Sequence, residues 1–199
     1  MKTSGQTPFP DADAARKQLR ADAIARRNAE NVATIDRWNA ALCAELRRHW
    51  PTAPGRVIGF CWPVRNEPDL RRLVADWQTG RSADIEVALP VVVGTAQPLA
   101  FRAWREWDAM VTDRYGIPTP AAGEWVQPDV LLIPLNAFDA RGYRIGYGGG
   151  FFDRTLAALQ PRPLAIGVGF EIGRVADTWP QPHDMRLDWI ATEAGVWPV

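Results

Sequence analysis

The residues best suited to chemistry lie in a glycine-rich stretch, residues 144–153, which reads RIGYGGGFFD. Four glycines between positions 146 and 150 crowd a turn, and each ordered glycine costs roughly 0.5–1 kcal/mol relative to alanine. A helix predicted to begin at Phe151 or Phe152 would direct free backbone N–H groups and the positive end of its dipole at this turn. The pattern favours an anion, and a phosphate is the natural ligand.

Two charged side chains flank the turn. Arg144 precedes it, where a guanidinium can clamp phosphate oxygens, and Asp153 follows one helical turn later, where a carboxylate can hold a hydrated magnesium ion. Spacing alone is explained equally well by a tight turn that needs glycine for its shape, with Arg144 on the surface and Asp153 as a helix-start acid. The stretch matches neither the P-loop, which needs Gly-Lys-Ser/Thr, nor a dinucleotide-binding GxGxxG in its usual context.

The elements that would position this turn alternate between strand and helix patterns. Strand patterns occupy residues 57–61, 85–93, 130–133 and 164–168, and helical patterns occupy residues 12–50, 70–77 and those from 151 onwards. Asn28 or Asn31 is expected to divide the first helical region into two helices. The alternation predicts an α/β domain with a mostly parallel sheet flanked by helices. Residues 94–128, rich in Trp, Pro and Gly, are expected to be irregular, as a lid or a covering loop.

Composition limits the classes of protein that remain. The 199 residues are 47% hydrophobic, which suits one domain over residues 11–199 behind a loose tail, residues 1–10. The 23 basic and 23 acidic side chains cancel, which predicts no nucleic-acid and no membrane-surface partner. No apolar run approaches the roughly 20 residues of a membrane span, so we expect a cytoplasmic protein. Cys43 and Cys61 are interpreted as buried thiols rather than a disulfide or a metal site.

Residues 134–156, PLNAFDARGYRIGYGGGFFDRTL, resemble the signature of the 5-formyltetrahydrofolate cyclo-ligase family, approximately PGxAFDxxGxRLGxGxGYYDRxL. The match has no gap and is far more specific than a lone glycine motif. This chain departs from the signature in having Pro134-Leu135 for Pro-Gly and Phe151-Phe152 for Tyr-Tyr or Phe-Tyr. The resemblance therefore implies a stacking role rather than a hydrogen-bonding role at Phe152.

The resemblance implies a fold of the NagB/RpiA/CoA-transferase type and a reaction that needs ATP and Mg²⁺. That reaction closes 5-formyltetrahydrofolate to 5,10-methenyltetrahydrofolate and releases ADP and phosphate through an imino-phosphate, without a protein nucleophile. The partners would be 5-formyltetrahydrofolate and ATP, and the protein would be a monomer or small homo-oligomer. Three alternatives remain open, namely a family paralogue with another substrate, a non-catalytic nucleotide-binding module, and a sugar-phosphate isomerase or acyl-CoA transferase.

Two further segments resemble parts of the family's ligand sites. Arg16 and Arg20 lie four residues apart on one helix face and resemble a basic helix that contacts ATP, although a solvated charged face is the ordinary interpretation. The segment CWPVRNEPD, residues 61–69, resembles the folate-side segment. Trp62 would then pack on the pterin and Glu67 would bind its polar edge. Without the resemblance these two residues would be a core aromatic and a helix-start acid.

Near the end of the chain, His183 and Asp184 resemble the family element HDxxLD. The resemblance implies that Asp184 joins Asp153 in holding magnesium, since two carboxylates with phosphate oxygens and water suit its octahedral geometry. His183 is left out of the chemistry, because a lone histidine beside a turn is usually structural.

The resemblance thus implies four overlapping sets of residues. The catalytic residues would be Arg144 and Asp153, and the metal ligands would be Asp153 and Asp184. The ATP-binding residues would be Arg16, Lys17, Arg20, Arg144, Ile145, Gly146, Tyr147, Gly148, Gly149, Gly150, Phe151 and Phe152. The folate-binding residues would be Arg20, Trp62, Glu67, Tyr147, Gly148, Gly149, Gly150 and Phe151.

Overall fold

The structure is a computed structural model that describes residues 12–79 and 85–199. The described residues form the helices α1 (Ala12–Ala29), α2 (Val32–His49), α3 (Arg71–Thr79) and α4 (Phe151–Ala158). Their strands are β1 (Val57–Gly59), β2 (Glu86–Val91), β3 (Ala100–Ala103), β4 (Met110–Thr112), β5 (Pro118–Pro120), β6 (Trp125–Val126), β7 (Val130–Pro134), β8 (Ala137–Phe138), β9 (Arg144–Ile145), β10 (Leu164–Val168), β11 (Trp189–Thr192) and β12 (Gly195–Pro198). The loose tail predicted for residues 1–10 lies outside the described residues.

One eight-stranded sheet organises the fold, in the order β12-β11-β10-β7-β1-β2-β3-β6. The five strands from β11 to β2 run parallel to one another, and β12, β3 and β6 are antiparallel to their neighbours at the two edges. The predicted fold class, an α/β protein with a mostly parallel sheet flanked by helices, is confirmed. Two small hairpins, β4–β5 and β8–β9, lie outside this sheet.

The central strand β7 shows why its sequence is an unbroken apolar run. Val130 and Leu132 pack into a cluster with side chains of α2 and α3, whereas Leu131 and Ile133 pack into a second cluster that includes Leu156 of α4. These four side chains are buried. A strand covered on both faces has no solvent-exposed side for polar residues. The alternation of apolar and polar residues that is typical of half-exposed strands is therefore absent.

The first helical region is divided as predicted. Asn31 is the N-cap of α2, and its side chain accepts a hydrogen bond from the Thr34 backbone N–H at 2.9 Å. The preceding helix, α1, lies on the β8–β9 hairpin, because Ala23 packs with Ala137 and Ile145.

Among residues 12–79 and 85–199, no helix combines the length and the apolar character that a membrane crossing requires.

The prediction that residues 94–128 are irregular is wrong. This region contains β3, which extends the main sheet beside β2, the β4–β5 hairpin, and β6 at the sheet edge. These strands have two to four residues each. Strands this short carry too few alternating positions to be recognised from sequence. The C-terminal hairpin β11–β12 was not predicted either.

Candidate active site

The predicted site residues converge at the carboxyl ends of the parallel strands β1 and β7. Residues 60–67 follow β1, and the β8–β9 hairpin follows β7 and leads into residues 146–150, here called the glycine loop. The carboxyl edge of a parallel sheet is where open α/β folds place their ligands, because successive loops meet there. The helix α1 crosses this edge and contributes arginines to it.

The glycine loop has the backbone geometry that its sequence implies. Gly148 has φ +91° and Gly150, the N-cap of α4, has φ +62°, a left-handed region that favours glycine. Arg20 donates a hydrogen bond from Nε to the Gly146 carbonyl at 2.7 Å. A Cβ atom placed on Gly148 would lie 3.3 Å from Arg20 Cζ, so the guanidinium lies across the loop. The loop N-terminal to α4 thus combines backbone N–H groups with a cation.

The environment of Arg20 disfavours its own positive charge. Partial burial and then the neighbouring charge of Arg16 lower the pKa of Arg20. Arginine remains protonated in proteins despite such a shift. An anion bound against the glycine loop would relieve this electrostatic cost.

Arg144 and Asp153 form an ion pair, with Arg144 Nη2 2.9 Å from Asp153 Oδ1. Their side chains are 5% and 19% exposed, which excludes the interpretation of Arg144 as a surface residue. Arg144 Nη1 also donates to the Met185 carbonyl at 2.8 Å, and the Met185 N–H donates to Asp153 Oδ1 at 2.9 Å. Burial lowers the pKa of Arg144, and the charge of Asp153 opposes that shift. The pair fastens both sides of the glycine loop to the C-terminal segment.

Arg16 and Asp184, which the resemblance assigns to different ligands, are paired with each other. The guanidinium meets both carboxylate oxygens, at 2.6 and 3.0 Å, and Arg16 also donates to the Trp179 carbonyl at 2.9 Å. Asp184 Oδ2 accepts a further bond from the Gln181 N–H at 2.7 Å. Lys17, the next residue on α1, is exposed.

Glu67 is buried, with both carboxylate oxygens engaged. Oε1 accepts a hydrogen bond from the Tyr147 hydroxyl at 2.9 Å, and Oε2 accepts one from the Val64 N–H at 3.1 Å. Burial raises the pKa of Glu67, and the bond from Tyr147 only partly offsets that shift. Nearby, Trp62 is half-buried, with the Arg71 guanidinium 4.6 Å from its ring centroid and the Trp104 ring edge-on to it. The structure therefore excludes an ordinary exposed helix-start acid at Glu67.

The carboxylates predicted to hold magnesium can be compared with what that ion needs. In the part of the chain that the structure describes, no three His, Cys, Asp or Glu side chains are grouped as a metal site. Magnesium needs only one or two carboxylates when phosphate and water complete its shell. Asp153 accepts both of its hydrogen bonds, from Arg144 and from Met185, through Oδ1. Its other oxygen, Oδ2, is therefore the atom available to bind a metal ion. Asp184 would first have to release Arg16.

The aromatic positions of the signature have separate surroundings. Phe152 packs against the buried cluster that contains Leu156. The Phe151 ring is edge-on to Tyr115, with centroids 5.9 Å apart. No sequence signal identified Tyr115, which lies in the region predicted to be irregular. The His183 side chain is 71% exposed, and its place outside the chemistry stays a prediction.

Sequence reasoning missed two arginines at this edge. Arg27 is 3% exposed, although it lies two helical turns after Arg20 on the same face of α1, a spacing that could have identified it. Arg154, inside the family signature, donates from Nη2 to the Gly149 carbonyl at 2.6 Å. Both cysteines are free thiols. The predicted burial is confirmed for Cys43, where it raises the pKa to about 11, and is wrong for Cys61, which is half-buried.

The fold and the site define an α/β protein whose glycine loop and buried carboxylate meet at one sheet edge. The model of the 5-formyltetrahydrofolate cyclo-ligase family matches residues 12–193. The chain belongs to this family of ligases, so the membership and the enzyme class expected from the signature are confirmed.

Relatives in two bacteria carry the family name. The 5-formyltetrahydrofolate cyclo-ligase of Escherichia coli strain K12 is 32% identical over 154 residues, which cover 74% of this chain and 83% of that protein. The protein of the same name from Mycolicibacterium smegmatis is 28% identical over 159 residues, which cover 75% of this chain and 81% of that protein.

Two solved structures share the fold. The NMR structure of Aquifex aeolicus 5,10-methenyltetrahydrofolate synthetase has a TM-score of 0.78 at 23% identity and covers 92% of both chains. The 5,10-methenyltetrahydrofolate synthetase from Mycoplasma pneumoniae has a TM-score of 0.71 at 22% identity and covers 92% of this chain and 99% of that chain. At these identities the likeness establishes the architecture.

Proposed function

We propose that the protein closes 5-formyltetrahydrofolate to 5,10-methenyltetrahydrofolate, with ATP as co-substrate and release of ADP and phosphate. The observation that carries this proposal is membership of the cyclo-ligase family over residues 12–193. The geometry supports it, because the glycine loop and Glu67 lie within hydrogen-bonding contact of each other through Tyr147. Two anionic ligands can therefore be held side by side at this edge.

The nucleotide would bind at the glycine loop. Backbone N–H groups ahead of α4 and the guanidinium of Arg20 would surround its phosphates, a combination that suits anions. Arg16 and Arg144 would contribute positive charge from a second layer around the phosphates, because both are already held by carboxylates. Ile145, which is buried, and Gly146 would contribute backbone to the nucleotide site.

The folate would bind next to this loop, on the side of Glu67 and Trp62. A carboxylate accepts hydrogen bonds and suits the donor edge of a pterin, and such a charged bond is worth about 1.5–3 kcal/mol. The half-buried indole of Trp62 offers an apolar face beside it. Phe151, at the start of α4, would pack from the opposite side of the loop.

The reaction requires positioning rather than a protein nucleophile. The formyl oxygen attacks the γ-phosphorus of ATP, the bond to ADP breaks, and the oxygen becomes the leaving group of an imino-phosphate. The nitrogen at position 10 adds to the formyl carbon, the carbon–oxygen bond breaks to release phosphate, and the nitrogen loses its proton. The protein contributes alignment and preorganised positive charge for the phosphoryl transfer.

Magnesium belongs to the proposal as the counter-ion of the nucleotide. It would neutralise phosphate charge when bound, with Asp153 Oδ2 as the available protein ligand and Asp184 as a second ligand after release of Arg16. Arg144 keeps the Asp153 carboxylate in place from the other side.

The test is the appearance of the methenyl chromophore from 5-formyltetrahydrofolate, with and without ATP and with and without a divalent metal. We expect product only with ATP and metal, and one phosphate released per methenyl group. Product that accumulates equally well without ATP would refute the phosphorylated intermediate. ATP binding without turnover would favour a non-catalytic nucleotide-binding module, and turnover of another substrate would favour a family paralogue.

A further inference from the structure

A chain of three side chains runs beneath the glycine loop. Arg27 Nη2 donates to the Tyr147 hydroxyl oxygen at 3.1 Å, and the Tyr147 hydroxyl donates to Glu67 Oε1 at 2.9 Å. Arg27 and Glu67 are 3% and 6% exposed. The hydroxyl group therefore connects a buried cation to a buried carboxylate, and neither charged group reaches the other directly in the described contacts.

Tyr147 belongs to the glycine loop by its backbone and to the folate side by its hydroxyl. Its neighbours along the chain are Gly146, which Arg20 contacts, and Gly148, which Arg20 lies across. Its side chain is not locked in the core, because the residue is 43% exposed and its ring lies 5.5 Å from the Arg65 guanidinium. A shift of the loop backbone must therefore move the hydroxyl relative to Glu67.

The turn that presents Glu67 is strained and is held by the same arginine. Arg65 and Asn66 have φ +50° and +58°, a left-handed conformation that strains residues other than glycine. Arg27 Nε donates to the Arg65 carbonyl at 2.9 Å. Arg27 thus fixes both the backbone before Glu67 and the hydroxyl that contacts its carboxylate.

We propose that Tyr147 is a positioning residue that couples the two ligand sites: its hydroxyl, held by Arg27, orients the Glu67 carboxylate, so that a nucleotide bound at the glycine loop strengthens folate binding. The inference rests on the proposed function, which assigns the two ligands to these two places. Coupling between binding sites is reciprocal, so the folate must strengthen nucleotide binding by the same factor.

The hydroxyl does not exclude the folate from Glu67. A carboxylate offers about four lone-pair positions, and Tyr147 and Val64 occupy two of them. The pterin would use the remaining lone-pair positions, provided that the Glu67 carboxylate is oriented so that they face the folate site. A nucleotide that fixes the loop would restrict the position of the hydroxyl, and with it the orientation of the carboxylate, before the folate binds.

The charge of Glu67 gives a second observable. The groups that face it are Arg27 of α1, Arg65 of the turn, Tyr147 of the loop and Cys61 after β1. Burial raises the pKa of Glu67, and the hydrogen bonds from Tyr147 and Val64, followed by the charges of both arginines, oppose that shift. Loss of the hydroxyl would move the acid limb of folate binding to higher pH.

The experiment is calorimetric titration with 5-formyltetrahydrofolate, with and without a non-hydrolysable ATP analogue, over a pH series. In the wild-type protein we expect the analogue to lower the folate Kd about fivefold or more, the lower end of typical allosteric coupling. In Tyr147→Phe the analogue should lower the folate Kd less than twofold, and the acid limb of folate binding should move to higher pH. Tyr143→Phe is the matched control, because it removes a hydroxyl from the neighbouring hairpin and should keep the wild-type ratio.

The outcomes separate the inference from the proposed function. A wild-type protein that binds no folate refutes the proposed function and the inference together. Suppose instead that the wild-type protein binds both ligands. If Tyr147→Phe then keeps the wild-type ratio of folate Kd values, or leaves the acid limb of folate binding where it was, the inference alone is refuted. Arg27→Lys keeps the positive charge, but an ammonium group cannot bond two partners in the fixed geometry of a planar guanidinium. If this variant keeps the full wild-type ratio of folate Kd values, the role of Arg27 is also contradicted.

Discussion

The substitution Asp184→Asn tests the ion pair that fastens α1 to the C-terminal segment. Asp184 and Arg16 are 7% and 13% exposed, and asparagine preserves the shape of the side chain while removing its charge. The guanidinium would stay buried with its bond to the Trp179 carbonyl and without a carboxylate. The substitution should therefore destabilise the fold whether or not a metal is present.

The magnitude follows from the burial. Removing one partner of a buried ion pair costs about 3–5 kcal/mol. Since Arg16 keeps backbone acceptors and some solvent contact, we expect about 2–3 kcal/mol. For a chain of 199 residues, 1 kcal/mol corresponds to roughly 2–4 °C in Tm. The expected fall in Tm is therefore roughly 4–12 °C.

The assay is thermal unfolding followed by circular dichroism, with chelator and with magnesium, for Asp184→Asn, Arg16→Ala and the double variant. The two single losses should not add, because both remove the same interaction. Asp76→Asn is the control, since its pair with Arg47 is 51% and 40% exposed and such pairs contribute about 0–1 kcal/mol. A fall below 2 °C in chelator, or fully additive losses, would refute the buried-pair argument. A loss seen only with magnesium would instead identify Asp184 as a metal ligand.

Three other predictions concern the ligand sites. Glu67→Gln should weaken 5-formyltetrahydrofolate binding by about 1.5–3 kcal/mol, with nucleotide affinity unchanged in the absence of folate; calorimetry that finds the reverse would return Glu67 to a structural role. Because burial raises the pKa of Glu67 from its ordinary 4.5, the native state keeps a proton that the unfolded chain loses, and this contribution to stability disappears as pH rises through the raised pKa. The stability of Glu67→Gln relative to wild type, from urea unfolding, should thus increase with pH above 4.5, and a flat difference would contradict the shift. Asp153→Asn should cut turnover by orders of magnitude and lower Tm, since it leaves Arg144 buried without its carboxylate; wild-type turnover with a wild-type Tm would remove Asp153 from the site.

Sequence patterns predicted the elements whose constraint is visible in a run of consecutive residues. The run from Val130 to Pro134 is a strand because both faces of β7 are covered, and continuous apolar sequence follows directly from that burial. The glycine loop was recognised because positive φ at Gly148 and Gly150 restricts the residue type. In both cases a few consecutive residues show the constraint, although the cover on β7 comes from α2, α3 and α4.

The remaining features depend on partners far along the chain. The strand β3 has four residues, and its place is set by pairing with β2 rather than by its own pattern. The ion pair between Arg16 and Asp184 spans 168 positions, and no periodicity links two charges so far apart. The family resemblance implies ATP for one and magnesium for the other, because a motif match treats each segment separately, whereas the fold pairs the two side chains with each other.

The helix α1 explains how one element can relate the two proposed ligand sites. Its three inward arginines follow one another at four and seven residues, so they lie on one face. Arg16 holds the C-terminal segment, Arg20 contacts the glycine loop, and Arg27 holds the turn before Glu67. A helix is stiff over this length, so the three contacts cannot move independently. A tilt of α1 must therefore change the nucleotide side and the folate side together, which gives the coupling through Tyr147 a rigid frame.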